Sequence, residues 1–262
     1  MSVEICVRPD VSEIMEMPRR WAQRVVDRLE VDLPDMRLLV CLDTTNALTP
    51  EPDVRGFFQP NDKHYYRTIS WPGYMARALR TINSTGFEAT YNYHAVIYLP
   101  HRTCNREESL TMTLAHELRH FIQFGFHYRI WAWNGVVTNL KKDTIRERRL
   151  AWKDIPIEYE ARLHAKRLSE QMLGSRRTAE YIDLKIDEHV TDRDVADWEF
   201  VRGLDPSSEC NTTAMTKILF QNLADIRGEL QESLDDRKRD FPDFRQLDLN
   251  EMFPEYEDDV TT

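Results

Sequence analysis

The stretch LTMTLAHELRHFIQFG, residues 110 to 125, constrains the fold of this chain more than any other segment. Its apolar residues recur at helical spacing, which predicts a long helix with one side buried in a core. We expect this helix to run from about Arg106 through Phe124, with Asn105 as its N-cap and Gly125 at its end.

Two histidines and a glutamate inside this helix have the spacing of a metal site. Residues four apart share a helix face and lie about 6 Å apart along the axis, so the imidazoles of His116 and His120 can meet at one ion. A catalytic Zn²⁺ takes three protein ligands and leaves its fourth position to water. Glu117 would lie beside that water and could accept its proton. The pattern predicts a zinc site with Glu117 as general base, whereas the simpler alternative is a histidine pair that serves only packing or solubility.

The residues alone leave the third ligand open. One known pattern continues with Gly at 123 and His at 126, and it is excluded because the chain has Gln123 and Phe126. His127 lies one residue too late for that pattern. In the next predicted helix Glu158 and Glu160 are about 200° apart around the axis, so at most one of them faces the ion.

A resemblance to a known family favours one of these glutamates. HELRH at 116 to 120, followed by EARLHAKRL at 160 to 168, resembles the gluzincin arrangement of zinc metallopeptidases. In that arrangement a Glu directly before Ala on a second helix completes the site. The chain is particularly similar to the intracellular ImmA/IrrE-type peptidases over residues 87 to 173. The resemblance implies Zn²⁺ as cofactor, Glu160 as the third ligand beside His116 and His120, and hydrolysis of peptide bonds in an intracellular protein.

The same resemblance implies an α+β fold, in which a zincin-like domain packs a small mixed sheet on the HExxH helix. Two positions depart from the family pattern. Arg119 stands where that group commonly has Gly, and His164 stands where it often has Phe. His164 therefore remains an alternative ligand or a hydrogen-bond partner that orients one. Residues suited to stabilise the oxyanion of such a reaction are Tyr91, Tyr93, His94, His101 and Tyr159.

Strand signals precede the central helix. VEICVRP at 3 to 9 alternates apolar and polar residues, and RLLVCLD at 37 to 43 is mostly apolar, so both predict strands. Between them Pro18 opens a helical pattern. HAVIYLP at 94 to 100 is the strongest strand signal in the chain. It predicts either an edge strand that pairs with an extended peptide or an ordinary interior strand.

Helix and turn signals follow the central helix. Asn134-Gly135 lies between two β-prone runs and predicts a hairpin. Pro156 predicts the first turn of a helix that Gly174 ends. Residues 212 to 234 carry one apolar stripe and predict a single helix.

Charge and composition divide the chain into parts. Only 8 of the 262 residues are Gly, which argues against a turn-rich all-β fold. Residues 1 to 177 hold 26 Lys and Arg against 22 Asp and Glu, whereas residues 178 to 262 hold 9 against 23. We predict a zincin-like domain at 1–174, an acidic helical region at 175–250 and a mobile acidic tail at 251–262.

Several classes of protein are disfavoured. The four cysteines are far apart and lack metal-site spacing, so we expect reduced thiols. No apolar run reaches the roughly 18 residues of a membrane span, and MSVEICVRPD lacks the order of a secretion signal, so we expect a cytoplasmic protein. The net charge of −10 argues against nucleic acid as a partner, despite the basic run at 141 to 149.

A second hypothesis comes from another functional class. A noncatalytic protein could keep a metalloprotease-like scaffold and bind a basic partner through its acidic C-terminal half. The same acidic region could instead contact basic residues within the chain. Glu117 argues for the enzyme, because a scaffold has no need of a general base.

Overall fold

The structure, a computed structural model, describes residues 2–8, 16–29, 33–43, 56–60, 93–188, 191–240 and 242–253. One small mixed sheet and a larger set of helices confirm the expected α+β class. The described strands are β1 (Ser2–Arg8), β2 (Arg37–Asp43), β3 (Phe57–Pro60) and β4 (Ala95–Leu99). The described helices are α1 (Glu16–Asp27), α2 (His101–Cys104), α3 (Glu107–Phe126), α4 (Tyr128–Thr138), α5 (Lys142–Glu147), α6 (Pro156–Leu173), α7 (Ser175–Asp187), α8 (Asp192–Gly203), α9 (Thr212–Asn222) and α10 (Arg227–Asp240).

The sheet has the strand order β1-β2-β4-β3. The first three strands are parallel, with Ile5 paired to Val40 and Val40 paired to Ile97, and β3 runs antiparallel to β4. Every residue of β4 is buried, as expected for a strand covered on both faces. The three strands predicted from the sequence are confirmed. The edge-strand prediction for HAVIYLP is wrong, because β4 lies between β2 and β3, and β3 takes the edge position within the described sheet.

Helix α3 is the centre of the larger apolar cluster. It packs on β3 and β4, on α1 and along α6, and its buried residues join the apolar residues of these elements. A hydrogen bond of 2.6 Å from Trp21 Nε1 to Thr111 Oγ1 ties α1 to α3. Arg106 rather than Asn105 is the N-cap of α3, and it makes no side-chain cap bond. Instead Arg177 of α7 donates to Glu107 and Glu108 in the first turn.

Gly125 lies inside the last turn of α3 and does not end it. The helix continues to Phe126, and the next element begins at Tyr128. A Cβ atom at Gly125 would overlap the ring of Pro34, so this position allows the segment before β2 to pack directly on the helix backbone.

We expect Gly125→Ala to lower the free energy of unfolding by about 1–3 kcal/mol, because the added methyl forces Pro34 away from the helix. Urea denaturation measures the change. Gly228→Ala in α10 is the matched control, since no atom lies within 4 Å of its added Cβ, and it should leave stability unchanged or raise it. Equal effects of the two substitutions would contradict the close packing of Pro34.

The predicted hairpin at Asn134-Gly135 is wrong, because these residues lie within helix α4. The Asn134 side chain is buried and donates to Ile130 O at 2.8 Å and to Thr216 Oγ1 at 2.9 Å. A Cβ at Gly135 would be in ordinary contact with Phe244. Contacts with helix α9 and with the residues after α10 therefore override the local turn preference of the Asn-Gly pair.

A second apolar cluster joins α4 to the C-terminal helices. It includes buried residues of α4, the start of α6, α9 and α10. The predicted single helix over 212–234 is instead two helices. The first helix, α9, ends at Asn222 with Leu223 as its C-cap, and a 3-10 turn at Ala224–Ile226 precedes α10. Helix α6 ends as expected, with Gly174 at φ +87°. Both clusters contain residues from before and after 174.

Part of the basic run at 141 to 149 contacts acidic residues of the C-terminal region. Lys141 pairs with Glu232 at 2.9 Å, and Arg148 pairs with Asp225. These charges are exposed, so each pair adds little to stability.

Three further predictions from the sequence concern the cysteines, membrane spans and the acidic tail, and the structure describes only some of the residues involved. Cys104 and Cys210 are free thiols, and Cys41 is buried. Within the described helices, none is long and apolar enough to cross a membrane. Of the predicted tail, Met252 is buried, and residues 254–262 lie outside the described residues. The sequence also favours a helix at 71–83, WPGYMARALRTIN, and its prolines favour an irregular segment at 44–62. The first lies wholly outside the described residues, and of the second only 56–60 is described, where β3 forms.

Candidate metal centre

Helices α3 and α6 bring two histidines and one glutamate together. His116 Nε2 lies 3.1 Å from His120 Nε2. Glu158 faces both rings, with Oε2 at 3.4 Å from His116 Nε2 and Oε1 at 3.3 Å from His120 Nε2. These three residues are the one group in the described chain whose ligand atoms are close enough to hold a metal ion.

The spacing of the two imidazole nitrogens and the two oxygens of Glu158 fits a tetrahedral ion that is bound through either oxygen. With metal–nitrogen and metal–oxygen distances of about 2.0–2.2 Å, two ligands of a tetrahedral Zn²⁺ are about 3.3 Å apart. The observed separations of 3.1, 3.3 and 3.4 Å all lie within 0.2 Å of that value. Two neutral imidazoles and one carboxylate are also a ligand set that zinc uses in hydrolases. The three residues therefore fit the ion that the sequence predicts.

Glu160, the glutamate favoured from the sequence, lies on the other side of α6. Its carboxylate accepts hydrogen bonds from Arg119 and, at 2.8 Å, from Gln123 Nε2. Two residues along a helix rotate a side chain by about 200°, so when Glu158 faces the histidines Glu160 faces away. The structure thus brings Glu158 to the two histidines and directs Glu160, the ligand implied by the family resemblance, away from them.

Gln123 holds His120 in the orientation that a metal ligand needs. Gln123 Nε2 donates to two acceptors, Ile157 O at 3.0 Å and Glu160 Oε2, which fixes the direction of its amide group. Its Oε1 is then the atom 2.8 Å from His120 Nδ1. Because an amide oxygen can only accept, Nδ1 carries a proton, and Nε2 is the ring nitrogen that faces Glu158 and His116 and would bind a metal ion.

We expect Gln123→Leu to weaken zinc binding by about 10- to 100-fold, because His120 loses the acceptor that fixes its ring. Competition with a fluorescent zinc chelator measures the affinity. Gln171→Leu on α6 is the control for replacing an amide with an apolar side chain, and it should leave the affinity unchanged. An unaffected zinc affinity in Gln123→Leu would show that packing alone holds the ring.

Burial and charge act in opposite directions on the pKa values of this cluster. Burial lowers the pKa of His116 to about 4. Burial also acts to lower the pKa of His120, but the carboxylate of Glu158 outweighs it and raises that pKa to about 9. Burial acts to raise the pKa of Glu158, yet the two histidines hold it well below its usual range. The carboxylate of Glu158 is thus ionised, as a metal ligand must be.

Glu117 is buried beside the cluster without belonging to it. Burial raises the pKa of its carboxyl to about 7, while a hydrogen bond from the backbone N–H of Phe58 in β3 acts in the other direction. Glu117 and His116 line the same cavity of about 170 Å³. Glu117, the predicted general base, therefore lies beside His116, a candidate ligand, at the wall of this cavity.

The other sequence candidates lie away from the cluster or in the part that is not described. His127 is at the junction of α3 and α4 and lines a different cavity with Glu160. His164 is also on the Glu160 side, where burial lowers its pKa to about 4. The residues considered as stabilisers of the oxyanion have other contacts or positions. Tyr93 donates a hydrogen bond to Glu4, and His94 Nδ1 accepts one from the backbone N–H of Arg37. Tyr159 contacts Phe200, His101 is in α2, and Tyr91 lies outside the described residues.

The sequence did not indicate roles for Gln123 or Arg162, and it left Glu158 as one alternative to Glu160. Two signals bear on Glu158 and Arg162. Arg119, placed between the histidines, needs an acidic partner on the neighbouring helix, and Glu160 supplies it. Arg162 follows Glu158 by four residues, which marks a shared face.

Comparison with protein-family models, with curated proteins and with solved structures gave no match to this chain. The case for a function therefore depends on the geometry of the cluster and on the chemistry of its residues.

Proposed function

We propose that the protein is a zinc-dependent metallopeptidase whose ligands are His116, His120 and Glu158 and whose general base is Glu117. The observation that carries the proposal is the approach of three potential ligands beside a buried carboxylate that borders a cavity. The two imidazole nitrogens are 3.1 Å apart, and each lies 3.3 or 3.4 Å from one of the two oxygens of Glu158. We extend the proposal to a zincin-like domain, because α3 packs on the small mixed sheet and along α6, which carries Glu158.

Each residue has a defined task in this reaction. When bound, Zn²⁺ lowers the pKa of water and polarises a carbonyl group. Glu117 accepts the proton that water loses as its oxygen bonds to the peptide carbon, and later delivers that proton to the amine nitrogen as the C–N bond breaks. The N–H of Phe58 holds the Glu117 carboxylate in place. Gln123 holds Nδ1 of the His120 ring, so that Nε2 is directed toward His116 and Glu158.

The proposed substrate is a cytoplasmic protein or peptide. The resemblance of HELRH and its downstream helix to intracellular peptidases supports this choice. The alternative of a noncatalytic scaffold that binds a basic partner predicts the same metal and no cleavage.

Metal content and cleavage together test the proposal. The protein is loaded with Zn²⁺, freed of excess metal and incubated with casein and a mixed peptide library, and products are identified by mass spectrometry. We expect one zinc per chain, cleavage, loss of cleavage with 1,10-phenanthroline and recovery on adding Zn²⁺. Zinc without cleavage favours the scaffold, and absence of stoichiometric zinc contradicts the proposed centre.

A further inference from the structure

Arg162 is a cation beside the candidate metal centre, and the proposed function gives it no task. It lies on α6 four residues after Glu158 and shares its face. Its Nη1 donates to Glu158 Oε2 at 3.4 Å, and its Nη2 is 4.0 Å from a carboxylate oxygen of Asp197 in α8. Only 15% of the side chain is exposed.

The Arg162 side chain also lines the cavity that His116 and Glu117 border. Helix α3 contributes His116 and Glu117 to one side of this cavity, and α6 contributes Arg162 to another. A ligand that enters between the two helices meets the candidate base and the guanidinium group together. Apolar residues, among them Met112, Trp198 and Val201, line much of the remaining wall, and Asp197, the ion-pair partner of Arg162, lines it too.

We propose that Arg162 is a catalytic residue that stabilises the oxyanion of the peptide carbonyl. A carbonyl oxygen gains negative charge when water attacks its carbon, and fixed donors aimed at that oxygen lower the barrier. A guanidinium group offers five N–H donors in a planar array, so pairing with Glu158 leaves donors for a substrate oxygen. Its ion pairs with Glu158 and Asp197 fix the group before substrate arrives. This inference rests on the proposed function.

Ligand binding to the Co²⁺-loaded protein tests the placement of Arg162 without any need for turnover. The visible absorption of Co²⁺ reports the binding of methylphosphonate, a tetrahedral anion, and of imidazole, a neutral ligand. We expect Arg162→Gln to weaken methylphosphonate binding about 10- to 100-fold, because a hydrogen bond to a charged oxygen is lost. Imidazole binding should change less than about twofold, since imidazole offers no anionic oxygen.

Kinetics then test the catalytic role. We expect Arg162→Gln to lower kcat by about 10²- to 10³-fold with a smaller change in KM, and Arg162→Lys to recover part of the loss. Arg176→Gln, at an exposed ion pair of α7, is the control for removal of one positive charge and should retain full activity.

The outcomes separate this inference from the proposed function. In one outcome, methylphosphonate binding depends on Arg162 and imidazole binding does not, but the wild type cleaves no peptide. That outcome overturns the proposed function and the catalytic role of Arg162, and it leaves Arg162 as a residue that binds anions. Equal losses for methylphosphonate and imidazole show that Arg162 acts only through Glu158, and unchanged binding of both shows that it does not face the centre. Either result overturns the inference, and a wild type that binds no Co²⁺ overturns both proposals.

Discussion

Glu158→Gln is expected to weaken zinc binding more than a hundredfold, whereas Glu160→Gln, two residues away, should change it less than tenfold. Structural zinc sites bind with apparent free energies of about 10–16 kcal/mol over four ligands, so one ligand contributes roughly 3 kcal/mol. Glu158 approaches both histidines within 3.4 Å, and an amide in its place lacks the negative charge. Glu160 instead accepts hydrogen bonds from Arg119, Gln123 and Thr212, on the side of α6 that faces away from the histidines.

The pair of variants is well matched because both exchange a carboxylate for an amide of the same shape on the same helix. Isothermal titration with Zn²⁺ gives the affinities, and circular dichroism verifies that both variants keep their helix content. A larger loss in Glu160→Gln than in Glu158→Gln would restore the ligand that the family resemblance implied. Equal losses would indicate that neither carboxylate is a direct ligand.

Glu117→Gln is expected to keep one zinc per chain and to lower peptide cleavage by roughly 10²- to 10⁴-fold. Glu117 is outside the group of three candidate ligands, so its charge is not needed to hold the ion. Its role in proton transfer requires a carboxylate, and the glutamine amide cannot accept the proton of water at neutral pH. Zinc content and cleavage rate are measured on the same preparation.

Glu108→Gln, in the first turn of the same helix, is the control for Glu117→Gln and should retain both zinc and activity, since Glu108 pairs with Arg177 away from the centre. Loss of zinc in Glu117→Gln would make Glu117 a ligand. Full activity in Glu117→Gln would assign the cleavage to another base or to another protein in the preparation.

Local patterns predicted the elements that carry the site. The apolar periodicity around His116 predicts α3 within about two residues at each end, and Pro156 and Gly174 mark the limits of α6. These features depend only on spacing and on the backbone preferences of Pro and Gly, which are properties of the chain itself.

The third ligand and the Asn-Gly segment depended on contacts that no local pattern contains. The choice between Glu158 and Glu160 is a choice of rotation of α6 about its axis relative to α3. That rotation is stabilised by Arg119 and Gln123, which bind Glu160 on the far side. Similarly, the turn preference of Asn134-Gly135 yields to the buried hydrogen bond between Asn134 and Thr216, 82 residues later.

X-ray absorption spectroscopy at the zinc edge of the loaded protein tests whether two histidines and a carboxylate bind the ion. We expect two imidazole ligands and oxygen ligands at about 2.0–2.2 Å, with no sulfur in the first coordination sphere. Both imidazole contributions should persist in Glu160→Gln. A spectrum with one imidazole or none, or with sulfur scattering at about 2.3 Å, would contradict a centre formed by His116, His120 and Glu158.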